Sequence, residues 1–216
     1  MKPLEFHDIA QNTDEWSDMR AGRLTSSSLS KVMAFYGKPF GDPANRLATD
    51  IALGQITGKA QTGGYSNSHM ERGHEQEPIA RALYEAQTFT TVTNGGFWCN
   101  DEFGASPDGM CGDGVIEIKS VIPSTHMATI TKGTIDSAYK WQCCSNLAYT
   151  KSKWLDYASY CADFPPNKRL FIRRLWLDEI QEDIKKMDSR IKLFLALVAF
   201  KKKAIEEGQY VVGMRG

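Results

Sequence analysis

The chain has 216 residues, 42% of them hydrophobic, so it can bury a full core as one domain spanning 1–216. Its 26 lysines and arginines balance its 26 aspartates and glutamates, which excludes a chain that is basic or acidic throughout. The longest apolar run, 193–200, is too short to cross a bilayer, and the N-terminal residues lack the apolar stretch of a secretory signal. We therefore expect a cytoplasmic protein with no membrane partner.

Up to residue 67 the pattern predicts two helices separated by loops. A serine and threonine cluster begins the first helix, at 25–34, and is expected to cap it. Two glycines and two prolines mark 37–43 as a loop. The second helix is predicted at 45–57, and the glycine-rich segment 59–67 indicates a flexible loop.

The next helical pattern runs over 71–87. Its spacing places Ile79, Leu83 and Tyr84 on the inner face. Pro78 lies early in this run and cannot donate a backbone hydrogen bond, so the sequence predicts a kink or a helix start at this residue.

Strand-like segments dominate the chain from residue 97 onward. They are predicted at 97–100, 103–106, 115–119, 154–160 and 170–176, with one helix at 137–149 among them. A long amphipathic helix follows from Asp178, its expected N-cap, to about Glu207, and Gly208 would end it. Helices, then strands interrupted by a helix, then a final helix indicate a mixed α/β fold.

The segment 105–120, which reads ASPDGMCGDGVIEIKS, carries the chemistry of a candidate site. Its Gly-Asp-Gly run predicts a turn between two strands. Because side chains alternate along a strand, Glu117 and Lys119 share one face while Ile116 and Ile118 share the other. If the hairpin closes, Asp108 returns beside Glu117 and Lys119.

Two carboxylates and a lysine at one point suit the hydrolysis of a phosphodiester. Mg²⁺, or Mn²⁺ in its place, takes oxygen ligands, and Asp108, Glu117 and the backbone carbonyl of Ile118 would supply three. The metal would polarise a phosphoryl oxygen and acidify a bound water. Lys119 would orient or deprotonate that water, or stabilise the charged transition state.

The pattern acid-x-Lys occurs a second time, at 183–185. There it lies in the amphipathic C-terminal helix and is interpreted as a solvated face. The Glu117 example has an upstream Ser-Pro-Asp-Gly, a turn and a strand around it. This context favours a nuclease over a chance surface hairpin.

The five cysteines, at 99, 111, 143, 144 and 161, are odd in number and form no CxxC pair. This pattern predicts reduced thiols in the core, not disulfides or an iron–sulfur cluster.

Positive charge is concentrated in 168–203, which contains eleven basic and five acidic residues. A basic face for nucleic acid and an ordinary solvated helix surface are equally good interpretations of this surplus.

Further motifs spread over most of the chain accompany the hairpin. In chain order they are Glu15-Trp16, Arg20-Ala21-Gly22, Thr25-Ser26-Ser27, Gly73 with Glu77, Ser106-Pro107-Asp108-Gly109, Glu117-Ile118-Lys119, and Ser137-Ala138-Tyr139 with Gln142. In these motifs the chain resembles phage lambda exonuclease and related viral recombination nucleases of the PD-(D/E)xK superfamily. The resemblance implies a restriction-endonuclease-like core, in which a central mixed β-sheet is flanked by helices, and a long C-terminal helix.

The resemblance also implies an activity and partners. Members of this family digest one strand of linear double-stranded DNA processively from 5′ to 3′, with Mg²⁺ as cofactor. The 3′ single-stranded overhangs that remain are substrates for phage-type homologous recombination by strand annealing. The implied partners are double-stranded DNA ends, two further copies of the chain in a homotrimeric ring, and a single-strand annealing protein.

Site residues beyond the hairpin follow from the same resemblance. Glu77 matches a helix glutamate beside the metals, and Arg20 matches an arginine that grips the terminal 5′-phosphate, to which a guanidinium fork is well suited. Ser27 and Ser106 match hydroxyls near that phosphate. Gln142 matches a glutamine of the helix after the core strands, where its amide would position the phosphate or the attacking water.

Some polar residues have no matched role. The family often has a second glutamine two residues after the first, where this chain has Cys144. No role is assigned to His69, His74 or His126, because Mg²⁺ prefers oxygen ligands.

Three other functions remain open from the sequence. A structure-specific or restriction-type endonuclease would use the same Asp108, Glu117 and Lys119. A catalytically idle DNA-binding subunit would share the fold, although intact carboxylates and lysine argue against it. A soluble binding module with a fortuitous hairpin is the third.

Overall fold

The computed structural model describes residues 2–59 and 68–208, without the side chains of 68–71. The predicted loop 59–67 therefore lies, apart from Lys59, outside the described residues, and so does the side chain of His69. Within the described residues, no helix is both long and apolar enough to span a membrane.

Within the described ranges, eight strands form two four-stranded mixed sheets. The strands are β1 (Glu5–His7), β2 (Leu24–Thr25), β3 (Phe97–Cys99), β4 (Phe103–Ala105), β5 (Gly109–Cys111), β6 (Gly114–Ser120), β7 (Trp154–Tyr160) and β8 (Leu170–Trp176). The first sheet has the order β1-β3-β4-β2 and the second β5-β6-β7-β8. Only the β2–β4 and β6–β7 pairs are parallel.

Seven α-helices surround these sheets in the described chain. They are α1 (Asp14–Arg20), α2 (Leu29–Met33), α3 (Asp42–Thr57), α4 (Ser68–Thr88), α5 (Pro123–Lys132), α6 (Lys140–Tyr149) and α7 (Gln181–Glu206). The mixed α/β class and the long C-terminal helix are thus confirmed, and every predicted strand is present to within a residue or so.

The second sheet is covered on both faces, and its two faces carry alternate residues of β6. Val115 belongs to the main core, which α2, α3, α6 and α7 form with strands of both sheets. Ile116 and Ile118 point the other way, into a smaller cluster with Ala80 and Tyr84 of α4. The predicted alternation along β6 is therefore confirmed, and it directs Glu117 towards α6.

The predicted inner face of α4 is partly wrong. Tyr84 is fully buried, but Ile79 is 51% exposed and Ala80 takes its place against the sheet. The helix begins at Ser68, so Pro78 lies inside it and is not its start. Contact with the isoleucines of β6 determines the rotation of α4, which its own apolar spacing did not reveal.

The helix starts at 25–34 and at Asp178 also differ from prediction. Ser26–Ser28 form a 3₁₀ turn before α2, and neither N-cap residue, Thr25 or Ser28, makes a side-chain cap; their hydroxyls instead lie 3.4 Å apart. Ser26 Oγ lies 2.7 Å from Ser145 Oγ in the core. Another 3₁₀ turn, Leu177–Ile180, precedes α7, so Asp178 is not its N-cap. The predicted end is confirmed by Gly208, whose φ is +61°.

Helix α5 was not predicted, although its ends carry clear signals. Pro123 occupies its first turn, and Gly133 follows its end with a left-handed φ of +62°. The predicted nature of the cysteines is confirmed, because all five are buried free thiols.

Candidate active site

A cleft of about 850 Å³ collects the candidate site residues. It is lined by Arg20, Ser27, Glu77, Ser106, Asp108, Ile118, Lys119 and Gln142. Glu117 has no exposed surface but contacts two of these lining residues, Lys119 and Gln142. Residues from α1, α4, α6 and the β5–β6 hairpin thus meet at one place.

The β5–β6 hairpin brings Asp108 back to β6, as predicted. Gly112 makes the turn with a φ of +58°, which only glycine adopts without strain. The backbone N–H of Asp108 donates to the carbonyl of Ile116 at 3.0 Å. The Asp108 carboxylate in turn accepts from the backbone N–H of Ile118 at 2.6 Å, which fixes it beside the strand that carries Glu117.

Three donors hold the buried Glu117 carboxylate. Lys119 Nζ and Gln142 Nε2 each lie 2.5 Å from its Oε1, and Asn146 Nδ2 donates to Oε2 at 2.7 Å. Gln142 and Asn146 are one helical turn apart on α6, so their amides face the same carboxylate. The structure therefore assigns Gln142 a contact with Glu117, in addition to its place in the cleft.

The charges of this cluster do not cancel. Burial, reinforced by the charge of Asp108, raises the pKa of Glu117 to about 7. Burial also raises the pKa of Asp108, although Lys119 opposes the shift. Burial alone would lower the pKa of Lys119, but Glu117 and Asp108 raise it well above its ordinary value. Two carboxylates thus share one protonated lysine in a poorly solvated place, which favours binding of a cation.

Glu77 joins the same cleft from α4. Its carboxylate lies 3.3 Å from Arg81 Nη2, and the same nitrogen donates to the backbone carbonyl of Asp108. Burial and the charge of Asp108 raise the pKa of Glu77. Glu77 therefore adds a third carboxylate to the cleft, and Arg81 ties α4 to the hairpin.

The donor chemistry fits a hard divalent cation. Carboxylate oxygens with surplus negative charge suit Mg²⁺ or Mn²⁺ better than softer metals. Within the described residues, however, no three acidic, histidine or cysteine side chains stand close enough to enclose an ion by themselves. A cation bound here would need a backbone carbonyl or water to complete its coordination, as is usual for Mg²⁺.

A second group of predicted residues lies at the end of the cleft that α1 forms. The Arg20 guanidinium packs 4.1 Å from the centre of the Trp16 ring and donates to Ser27 Oγ at 3.2 Å. The indole N–H of Trp16 donates to Ser106 Oγ at 3.1 Å. Burial lowers the pKa of Arg20 to about 10, so it stays charged at neutral pH. Trp16 thus connects the three predicted phosphate-binding residues.

Sequence reasoning missed three residues of this arrangement. Each lies one helical turn from a predicted one: Trp16 before Arg20, Arg81 after Glu77 and Asn146 after Gln142. The i, i+4 spacing on a helix would have found all three.

The residues without a predicted role are divided between the core and the cleft. His126 is fully buried, with its ring nitrogens 2.8 Å from Ser159 Oγ and 3.0 Å from the Lys168 carbonyl. His74 lines the cleft. Cys144 is buried in the main core and does not replace the second family glutamine.

Among the eleven basic residues in 168–203, Arg190 and Arg174 make contacts within the fold. Arg190 is 5% exposed and donates to backbone carbonyls, including that of Val32 at 3.0 Å. Arg174 binds Asp156 through two nitrogens at 2.8 Å. Arg190 therefore stabilises the fold from inside it, and Arg174 is held by an ion pair while its side chain stays 38% exposed.

A buried carboxylate, Glu117, a partly buried one, Asp108, and a lysine meet on one hairpin at a mixed sheet flanked by helices, which is the arrangement of PD-(D/E)xK nucleases. Residues 15–153 match the model of the YqaJ-like viral recombinase domain. Because this match spans more than half of the chain, the protein belongs to that family. The family and the exonuclease structures below support a nuclease that acts in recombination.

Solved structures agree with this assignment. An alkaline exonuclease, LHK-Exo, from Laribacter hongkongensis matches with a TM-score of 0.80 and 30% identity over 91% of this chain and 97% of that one. Its complex with dAMP matches with the same TM-score and coverage and 31% identity. A phage-related exonuclease from Haemophilus somnus 129PT, with a TM-score of 0.64 and 14% identity over 89% of this chain and 99% of that one, shares the fold. The comparison with curated proteins gives no match. The resemblance to lambda-exonuclease-like recombination nucleases is confirmed.

Proposed function

We propose that this protein is a Mg²⁺-dependent exonuclease that digests one strand of linear double-stranded DNA from the 5′ end. One observation supports this most strongly: a single cleft joins the Arg20 group to the carboxylates of Asp108 and Glu77. A site that holds an end and a site that cuts are therefore neighbours. The proposed products are mononucleotides and 3′ single-stranded overhangs.

In this proposal Asp108, Glu117, Glu77 and the carbonyl of Ile118 would hold the cation, directly or through bound water, with Mn²⁺ as an alternative to Mg²⁺. The bound cation supplies Lewis-acid polarisation of the phosphate and a more acidic water. Gln142 and Asn146 orient Glu117 towards it. Lys119, which is protonated beside two carboxylates, stabilises negative charge that develops on the phosphate.

The Arg20 group selects the end. A terminal 5′-phosphate carries nearly two negative charges, and a guanidinium binds it through two parallel hydrogen bonds. Ser27 adds a hydroxyl beside the arginine, and Trp16 keeps the arginine in place. The Ser106 hydroxyl donates to the Gly96 carbonyl at 2.9 Å, so it would have to rotate to donate to a phosphate. The related LHK-Exo has been crystallised with dAMP, a mononucleotide, which agrees with a cleft built for a terminal nucleotide. Each cut exposes a new 5′-phosphate, so digestion proceeds in one direction.

Processive digestion requires that the protein stay on the DNA between cuts, and attraction between charges would not be sufficient for this chain. A chain of 24.2 kDa with zero net charge gains little from unspecific attraction to phosphates. We therefore include in the proposal a homotrimeric ring around DNA and delivery of the overhang to a single-strand annealing protein in the cytoplasm. Sedimentation should show a trimer, and digestion of long DNA should survive added competitor. A processive monomer would contradict the ring.

The polarity is tested with matched linear, nicked-circular and closed-circular duplexes, labelled at the 5′ or the 3′ end, in Mg²⁺ or EDTA. The proposal predicts that the linear duplex is degraded and that the nicked and closed circles are not. The 5′ label should be released first, as a mononucleotide, and EDTA should stop the reaction. Cutting of closed circles would instead show an endonuclease on the same core.

A further inference from the structure

A second hollow, of about 420 Å³, lies outside the active-site cleft. It is lined by Phe6, Asp8, Thr93, Asn94, Trp98 and Met110, and we call it the Phe6–Trp98 hollow. A connecting hollow of about 270 Å³ shares Asn94 with it and Asp108 with the cleft. The order along this path is Arg20, then Asp108, then Trp98.

The path also follows the strand that leaves the cleft. Asp108 lies in the bend that leads into β5, and Met110 is the middle residue of that strand, two residues further along the chain. The Phe6–Trp98 hollow is therefore the next space along the hairpin after the carboxylate that marks the cutting site.

Two aromatic rings form one wall of the hollow. Phe6 and Trp98 are register partners in β1 and β3, and their ring centres are 5.0 Å apart. Phe6 is 45% exposed. At Gly96, a Cβ atom would collide with the Phe6 ring, so the absence of a side chain there lets the ring lie close to the backbone. The rings are thus held in place while one of them remains open to a ligand.

The polar groups of the hollow suit a base better than a phosphate. The described lining contains no lysine or arginine. Asp8 supplies a carboxylate, which accepts 2.7 Å from the Asn94 amide and has further acceptor capacity. A carboxylate repels phosphate but accepts hydrogen bonds from the amino groups of bases. Aromatic rings stack on any base.

We propose that the Phe6–Trp98 hollow binds an unpaired nucleobase of the cut strand, from the nucleotide that follows the scissile phosphate. This inference rests on the proposed function, which puts the terminal phosphate at Arg20 and the scissile phosphate at Asp108. The next nucleotide then lies beyond Asp108, on the path to Trp98. Stacking there keeps that nucleotide out of the duplex while the bond before it is cut.

The test uses Lys119→Ala protein in Mg²⁺, so that bound DNA stays intact, and 5′-phosphorylated duplexes with 2-aminopurine at the second or the tenth nucleotide. Stacking quenches 2-aminopurine fluorescence. Because neighbouring bases already quench 2-aminopurine in the free duplex, we expect the second nucleotide to stay quenched on binding, now by the rings of the hollow, and the tenth to stay quenched in the duplex. Adding Phe6→Ala should leave the second nucleotide unpaired and unstacked, so its fluorescence should rise on binding while that of the tenth does not, and binding should weaken roughly five- to a hundred-fold, the range for loss of one stacked base.

Matched variants separate stacking from damage to the fold. Phe6→Tyr keeps a ring and should retain quenching, and Phe89→Ala removes a ring that is 95% exposed elsewhere and should change nothing. Thermal unfolding should show that all variants fold. Tight binding by Phe6→Ala with quenching unchanged would show that the Phe6–Trp98 hollow does not bind the base, and would leave the proposed function intact. Failure of every protein to bind 5′-phosphorylated duplex would overturn both.

Discussion

Asn146 donates a hydrogen bond of 2.7 Å to Glu117, and neither side chain has exposed surface. The Gln142 amide holds the other oxygen of the same carboxylate from one turn earlier on α6. A carboxylate that is fixed at both oxygens cannot rotate away when a cation or substrate binds. Helix α6 therefore orients a candidate metal ligand that belongs to the sheet.

Asn146→Ala should lower the cleavage rate and raise the Mg²⁺ concentration needed for half-maximal activity, because the Glu117 carboxylate loses one of the hydrogen bonds that orient it. Partners that orient metal ligands contribute roughly ten- to a hundred-fold in metal affinity or activity. The measurement is initial rate against Mg²⁺ concentration. Lys140→Ala, on the same helix but 44% exposed and paired with Asp183, is the control. An unchanged Mg²⁺ dependence in Asn146→Ala would remove its orienting role.

Asp108→Ala and Glu117→Ala should each abolish cleavage, because each removes a ligand and part of the charge that holds the cation. Lys119→Ala should also be inactive but retain most of its Mg²⁺ affinity, since it removes positive charge. Calorimetric titration with Mg²⁺ separates the two classes. Lys185→Ala, in the other acid-x-Lys sequence, pairs with Glu182 on the surface and should remain fully active. Near-wild-type digestion by either carboxylate variant would refute the site.

The sequence predicts those parts of the site that depend on contacts between neighbouring residues. The hairpin follows from a glycine turn and from alternation along β6, which are properties of neighbouring residues. The rotation of α4 was missed because Ala80 and Tyr84 are selected by isoleucines more than thirty residues away along the chain. For the same reason the contact of Ser26 with Ser145, 119 residues away along the chain, cannot be predicted from local sequence.

The residues that orient the site depend partly on local spacing and partly on distant contacts. Trp16, Arg81 and Asn146 are each one turn from a predicted residue, so helical spacing makes them neighbours. Spacing does not show what they contact: Asn146 reaches Glu117 only because α6 packs on that face of the second sheet. Their positions were accessible from sequence, but their functions required the structure.

Gly95→Ala should reduce activity although residue 95 does not line the cleft. A Cβ atom at residue 95 would collide with the backbone carbonyl of Pro107 and approach the backbone N of Gly109, which flank Asp108. The hairpin would have to shift, and misplaced catalytic groups lower rates strongly. Gly41→Ala is the control, because a Cβ there meets only ordinary contacts of 3.6 Å or more. Rate and thermal unfolding are compared for both, and wild-type activity in Gly95→Ala would contradict the close packing of this loop.

The central claim is that the Arg20 group holds the 5′-phosphate of the strand that Asp108 and Glu117 help to cut. The direct measurement is the initial rate of digestion of matched 5′-phosphate and 5′-hydroxyl duplexes by wild type, Arg20→Ala and Arg46→Ala, the last being an exposed arginine of α3. A charge-assisted bidentate contact contributes on the order of 1.5–3 kcal/mol, or roughly ten- to a hundred-fold in rate. We predict that wild type and Arg46→Ala prefer the phosphorylated end by that factor and that Arg20→Ala loses both the preference and most of the rate. Full retention of the preference by Arg20→Ala would contradict the account and place the phosphate elsewhere.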